Sequence, residues 1–458
     1  MRIAVIGGLA AGPAAAAEAK REAPEAEVVL YEASPHVSVG ACEMPYFVAD
    51  RLDGKPDLIV LTPEELARSR GIDVFVRHRV THLDARAGRL TVEATAYNAT
   101  REERFDRFIL ATGARARSLG VPGESASGVF TLRSLLDARG LKRWLETEPV
   151  RHVVVVGGGY VGLEVAEAMR DRGLRATILD PKGRVLAKSL APEVAGQLDR
   201  AVHASGVAVR AEKPTEILTG NDGRVEAVRT DRGEIIGCQA VVVAVGVEPR
   251  TELAEAAGVT LGKTGAIAVD EHMRTNLRNV WACGDVVEVP RIIDGAKIHW
   301  PLAPTGRRTA RVAARNAVSA RTRTSGGDVF RGVTPSVAVK AFGIEAAAAG
   351  FSEEQAQEAG FEPLAVQIRH TTRTKVFPGS KPIDVRLIVD RARGRILGGQ
   401  IVAAEYAAQR ANVLVALIRY GATARDLAED VDLIYNPPLA PAVDPLKIAA
   451  SAALGKLA

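Results

Sequence analysis

Two segments of this chain, one at its start and one near residue 157, carry the same punctuation: a short apolar run, a turn rich in glycine, a helix-forming stretch and a second run ending on an acid. The first reads Arg2–Ile6, then Gly7-Gly8-Leu9-Ala10-Ala11-Gly12, an alanine-rich stretch to about Glu22, and residues 27–31 closing on Glu32. The second reads 152–156, then Gly157-Gly158-Gly159-Tyr160-Val161-Gly162, a helical stretch from 163 to about 172, and 176–179 closing on Asp180. Each is a βαβ unit, and parallel strands joined by a helix require a sheet covered on both faces. The chain is therefore expected to be α/β, with two nucleotide-binding sheets.

The chemistry of these units lies in their turns. Gly7 permits a tight turn, Gly8 continues it, and Gly12 allows the helix to pack close on the strand. The helix N-terminus then points unpaired N–H groups at a pyrophosphate, and Glu32 is placed to accept a hydrogen bond from a ribose 2′-hydroxyl. Leu9 stands where the middle glycine of G-x-G-x-x-G is usual, whereas Gly157, Gly159 and Gly162 complete that pattern. Asp180 favours a free 2′-hydroxyl, so NADH is preferred to NADPH; Lys182 and Arg184, just beyond it, would tolerate a phosphate or serve as solvated loop charges. A chain holding two such cofactors passes hydride from one to the other, so one should be a flavin. The runs FILATG (108–113) and VWACGD (280–285) end in glycine-bearing turns suited to close approach of a ligand, and Asp285 is placed for a polyol chain.

Composition narrows the class. At roughly 100–200 residues per domain, 458 residues suggest three domains. A 47% hydrophobic, 25% charged chain folds into packed cores. The formal charge of +5 is spread along the chain, with no basic arm, so nucleic acid is not an expected partner. Cys42, Cys238 and Cys283 make no C-x-x-C pair, disulfide framework or thiolate metal site. A reducing, cytoplasmic setting fits. Residues 3–17 imitate a secretory apolar region, but their glycines suit a strand, turn and helix. No stretch is long enough to span a membrane. His36, His299 and His370 lack metal spacing, and neither a metal nor a role is assigned to them. The alanine runs at 14–17 and 346–349 read as close helix packing.

In order along the chain stand GGLAAG, a cysteine at 42, ATG, GGGYVG, VVVAVGVEPR (241–250) and ACGD. That order resembles the flavin-dependent pyridine nucleotide-disulfide oxidoreductases over nearly the whole chain. The resemblance implies two Rossmann-like domains and a C-terminal α+β dimerisation domain. It implies FAD contacts at Gly7, Gly12, Glu32, Thr112, Gly113 and Asp285. It implies nicotinamide-nucleotide contacts at Gly157, Gly159, Gly162 and Asp180, with Glu164 near the nicotinamide, and a homodimer. The segment VSVGACEMPYF (37–47) holds one cysteine rather than the C-x-x-x-x-C pair, and is most similar to the coenzyme A disulfide reductases. LIYNPPLAPAVDP (433–445) resembles the stretch of that branch whose tyrosine, here Tyr435, reaches the partner subunit's active site. Ala41 and Glu43 depart from the branch's Asn and Gly, and Phe377 stands where a second phenol is usual. The first glycine turn lacks the histidine common in peroxidases and oxidases of the group.

Local chemistry bears on Cys42 independently. Pro45 suits the first position of a helix, and a cysteine just before a helix N-terminus is expected to have a lowered pKa and to act as a thiolate. Cys238 and Cys283 read as small buried hydrophobes. The expected domains are 1–114 with 248–324 for FAD, 115–247 for NAD(P)H, and 325–458 for dimerisation, with 320–328 as the linker. The expected activity is NAD(P)H-dependent, FAD-mediated reduction of coenzyme A disulfide or a related disulfide or persulfide through Cys42, with coenzyme A as substrate or mixed disulfide. Two alternatives stand beside it: an NADH oxidase working through a Cys42 sulfenate, and a flavin redox sensor or electron-transfer protein.

Overall fold

The apolar run that opens each glycine segment becomes the central strand of a five-stranded sheet in the computed structural model, which describes residues 1–53, 58–319 and 327–457. In the first sheet the order is Val280–Ala282, Arg107–Leu110, Arg2–Ile6, Glu27–Glu32, Asp73–Val76, with every neighbour parallel. In the second it is Ala208–Arg210, Arg175–Leu179, His152–Val156, Ala240–Val243, Val129–Thr131, again all parallel. Residues 3–6 and 152–156 are buried along their whole length, as a strand covered on both faces must be. The glycine turns leave both sheets at the same edge, the carboxyl ends of the strands.

The second helix starts earlier than expected, at Tyr160–Asp171, because Gly159 already serves as its N-cap. The run VVVAVGVEPR (241–250) divides. Ala240–Val243 stays in the sheet, while Val247–Pro249 turns away after Gly246 (φ +104°) and pairs antiparallel with Ala114–Ala116. That two-stranded ribbon is the crossing between the two nucleotide units.

The helix Ala303–Ser319 returns onto the first helix, Ala11–Glu22. Ala15, Ala16 and Ala19 face Ala310, Ala313, Ala314 and Ala317 in one core, all fully buried, so the run at 14–17 does mark close helix packing. The run at 346–349 does not. It lies in the strand Ile344–Gly350, paired with Ser336–Ala341 on one side and Ile396–Ala403 on the other. Alanine's helix preference yields here because its small side chains fit under the helix Ala407–Arg419, which packs on this strand.

The third unit is a five-stranded antiparallel sheet, ordered Ser336–Ala341, Ile344–Gly350, Ile396–Ala403, Pro382–Asp390, Pro363–Thr371. Helices Ala407–Arg419 and Pro445–Leu457 pack on it. Residues 424–430 are helical, the last five, Asp426–Asp430, wound as one wide turn, and Thr423 and Asp426 bond each other at the start. Of the expected linker, 320–326 lie outside the described residues.

One packing feature sets up the site. The segment after Gly40 belongs by sequence to the first unit, yet Val39, Met44, Phe47 and Val48 join a core with Leu135, Ala138, Leu163 and Ala166 of the second. The short helix Met44–Val48 thereby packs on the helices Leu135–Thr147 and Tyr160–Asp171.

Candidate active site

The two glycine turns are superimposable in their chemistry. Gly7 has φ +109° and Gly157 φ +106°, a region closed to ordinary side chains. A Cβ on Gly12 would lie 1.7 Å from the Gly7 carbonyl oxygen, and one on Gly162 would lie 1.9 Å from that of Gly157. The Gly8 N–H donates to Glu32 Oε2 at 2.6 Å, and the Gly158 N–H donates to Asp180 Oδ2 at 2.9 Å. The other carboxylate oxygens accept from Ser34 N–H at 2.7 Å and Lys182 N–H at 2.9 Å. Each acid is therefore fixed at the rim of its turn, with lone pairs left for a ribose hydroxyl.

Neither helix that follows is capped by a side chain, so their first N–H groups stay available to an anion. Around Gly159 and Gly113 there is open space for at least 4 Å in the direction a side chain would take. Thr112, beside Gly113, donates to the Arg250 carbonyl at 2.7 Å. These backbone cradles fit two dinucleotides. Arg184 is spoken for, donating to the carbonyls of Leu190 at 2.6 Å and Ala187 at 3.1 Å, whereas Lys182 is exposed. Of the two cations just beyond Asp180, Arg184 is thus committed to backbone carbonyls, and Lys182 is the one that stays exposed for a 2′-phosphate.

Cys42 sits in one tight turn, Ala41–Glu43, that runs straight into the helix Met44–Val48, with Pro45 at its second position rather than its first. It is exposed, while Cys238 and Cys283 are fully buried, with thiols pushed up to about 12 by desolvation. The lowered pKa expected for Cys42 is not what its surroundings produce. Desolvation by the neighbouring atoms pushes the thiol up, Glu43, Glu164 and Asp285 push the same way, and Arg133 opposes them. The helix has only five residues, so its dipole is short and the nearby carboxylates outweigh it.

Those charges define the site's membership. Glu164 arrives on the helix Tyr160–Asp171, where the Tyr46 hydroxyl donates to its Oε1 at 3.4 Å. Burial, with Glu167 adding to it, raises the Glu164 carboxyl to about 7. Asp285 arrives from the turn after Val280–Ala282; its Oδ2 accepts from Arg133 at 2.5 Å and its carbonyl oxygen contacts His299 Nε2 at 2.7 Å. Cys42, Glu164 and Asp285, from three separate segments, thus share one electrostatic neighbourhood between the two cradles. Tyr435 stands on the C-terminal unit, half exposed, beside the exposed Ile434.

Sequence reading overlooked Arg133, Tyr46 and His299 as members of this neighbourhood. Arg133 and His299 sit in no recognisable motif. Tyr46 stood in the segment VSVGACEMPYF (37–47), and its place on the helix after Cys42 was the available signal. Among the described residues no group of His, Cys, Asp and Glu is arranged to hold a metal, and no helix is long and apolar enough to cross a membrane.

Comparison with known proteins agrees with this layout. A protein of Pyrococcus horikoshii named NAD(P)H coenzyme A polysulfide/persulfide reductase is 34% identical over 449 residues, 98% of this chain and 97% of its own. A Methanocaldococcus jannaschii protein named NADH oxidase is 30% identical over 457 residues, 100% of this chain and 99% of its own. The structure of an NAD-dependent persulfide reductase from A. fulgidus superimposes with a TM-score of 0.94 at 33% identity, covering 100% of this chain and 83% of that one. Residues 1–317 match the pyridine nucleotide-disulphide oxidoreductase model and 336–446 match its dimerisation domain. With both nucleotide cradles and the C-terminal sheet accounted for, the chain belongs to the pyridine nucleotide-disulphide oxidoreductase family.

Proposed function

We propose that the protein uses NADH to reduce a small-molecule disulfide or persulfide of the coenzyme A type, through Cys42 and a bound FAD, as a homodimer in a reducing cytoplasm. The observation that carries this reading is one exposed thiol flanked by Glu164 and Asp285 between two dinucleotide cradles. The reading assigns 1–114 with 248–324 to FAD, 115–247 to the nicotinamide nucleotide and 325–458 to dimerisation. Gly7, Gly8, Gly12, Glu32, Thr112, Gly113 and Asp285 would hold FAD, and Gly157, Gly159, Gly162 and Asp180 would hold NADH. FAD bound there supplies two-electron transfer between nicotinamide and sulfur. The names of the relatives above support a sulfur substrate.

The protein's own groups divide the work. The Cys42 thiolate attacks one sulfur of the disulfide, forming a mixed disulfide and expelling a thiolate. Tyr435 of the partner subunit donates a proton or hydrogen bond to that leaving sulfur. Two electrons, originating in NADH, then cleave the mixed disulfide, release the second thiol and restore Cys42. The balance is one NADH and one proton consumed for two thiols formed. Glu164, partly buried beside Tyr46, shapes the pocket of the nicotinamide and moderates charge there.

Replacing Cys42 with Ser tests the scheme. The variant should bind FAD and be reduced by NADH at close to the normal rate, while NADH consumption with coenzyme A disulfide disappears. Full disulfide turnover in the variant sinks the proposal. Wild-type oxygen uptake that is Cys42-dependent and unaffected by any disulfide would favour the oxidase reading that the Methanocaldococcus relative's name carries.

A further inference from the structure

Arg410, on the helix Ala407–Arg419, is only 7% exposed, so its guanidinium is tolerated there only if paired. It has two partners on two different segments. Nε donates to Asp444 Oδ2 at 2.9 Å, and Nη2 donates to the Thr372 carbonyl oxygen at 3.1 Å.

Asp444 is itself buried and opens the helix Pro445–Leu457, its Oδ1 accepting the Leu446 N–H at 2.9 Å. It ends the segment carrying Ile434, Tyr435, Leu439 and Val443, whose side chains stand exposed. Thr372 is wholly buried and begins the loop between Pro363–Thr371 and Pro382–Asp390, which carries Phe377. Its hydroxyl donates to Glu405 at 2.8 Å and accepts the Lys381 N–H at 3.1 Å, closing the loop's base. One buried fork therefore clamps the root of the Phe377 loop to the root of the Tyr435 segment. A lysine at 410 would reach one partner, as a point charge, and lose the other.

We propose that Arg410 is a positioning residue for sulfur reduction, holding these two segments in one fixed relation so that Tyr435 is presented in register to Cys42 of the partner subunit. This rests on the role given to Tyr435 above. The two claims fail differently.

The test uses the full-length, FAD-loaded protein as wild type, Arg410→Lys, Tyr435→Phe and the double variant. Dimer mass and the rate at which NADH bleaches the flavin absorbance should stay at wild-type values in all four. Reoxidation of the NADH-reduced protein by coenzyme A disulfide should slow roughly tenfold or more in Arg410→Lys, the scale expected for a misplaced reacting group. In the Tyr435→Phe background the lysine should add less than a further twofold. A purely packing role would not separate the two half-reactions in this way. Unchanged reoxidation in Arg410→Lys overturns the inference, as does a full additive loss in the double variant. Unchanged reoxidation in Tyr435→Phe overturns the reading of Tyr435 instead. If Arg410→Lys does not yield a folded dimer, Asp444→Asn takes its place under the same criteria, since an amide still accepts from Leu446 while releasing the arginine's charge.

Discussion

Cys42 shows that a helix end alone does not set a thiol's reactivity, because burial and neighbouring charge act on it together. A cysteine before a short helix suggests a depressed thiol pKa, yet desolvation raises it, and Glu43, adjacent in sequence, and Glu164, brought by another helix, add to that push. A free thiolate in this setting needs a compensating partner or a ligand at the site. Glu164 is the other titrating group, with its carboxyl raised to about 7 by burial. The folded chain thus favours its protonated form. That contribution is complete below the usual carboxylate range near 4.5 and is lost as pH rises through about 7. Glu164→Gln should therefore stabilise the protein at pH 8 by on the order of 2 kcal/mol and change little at pH 4.5. Thermal melting of the variant and wild type at the two pH values checks the sign, and an equal effect at both would show that Glu164 does not titrate in this window.

At the scale of the element, the glycine turns act as interchangeable parts with separable functions. Gly12 and Gly162 each lie against the carbonyl of the glycine that starts their turn, where a methyl would overlap an oxygen. Backbone must move to accept it, which costs more than the 1–3 kcal/mol typical of an overpacked core. Gly162→Ala should leave flavin absorbance intact and weaken NADH binding by roughly a hundredfold or more, whereas Gly12→Ala should yield protein lacking flavin. Titration of NADH and the ratio of flavin to protein absorbance separate the two. Loss of flavin in Gly162→Ala would mean the two turns are not independent. The alanine run at 346–349 carries the opposite lesson: the same side chain is helix at 14–17 and strand here, because strand partners on both sides and a helix packed over the strand override its helix preference.

Over the whole molecule, a buried carboxylate joins all three units. Glu167, one turn beyond Glu164, accepts from Arg51 at 2.8 Å just after the Cys42 helix, and from the Phe342 N–H at 2.6 Å in the C-terminal sheet's first hairpin. Phe342 has φ +53°, a strained conformation for a side chain of this size, held by that bond. Glu167→Ala should cost on the order of 2 kcal/mol, read as a lower melting temperature, and should accelerate hydrogen exchange in both the 44–51 and 341–344 segments; protection unchanged in either would disconnect it from that unit. Both βαβ units were legible from sequence, since a strand, a positive-φ glycine and a helix N-terminus are local necessities that residues such as Gly7 and Gly157 write directly into the chain. So was the lone cysteine, because a missing partner is a fact of composition. The grouping of Cys42 with Glu164, Arg133 and Asp285, the strand at 346–349 and the fork of Arg410 were not, because each depends on groups far apart in sequence meeting, and that meeting exists only once the sheets have formed and the helices have packed on them; the upward push on the thiol was half in view, since Glu43 is its neighbour in the chain.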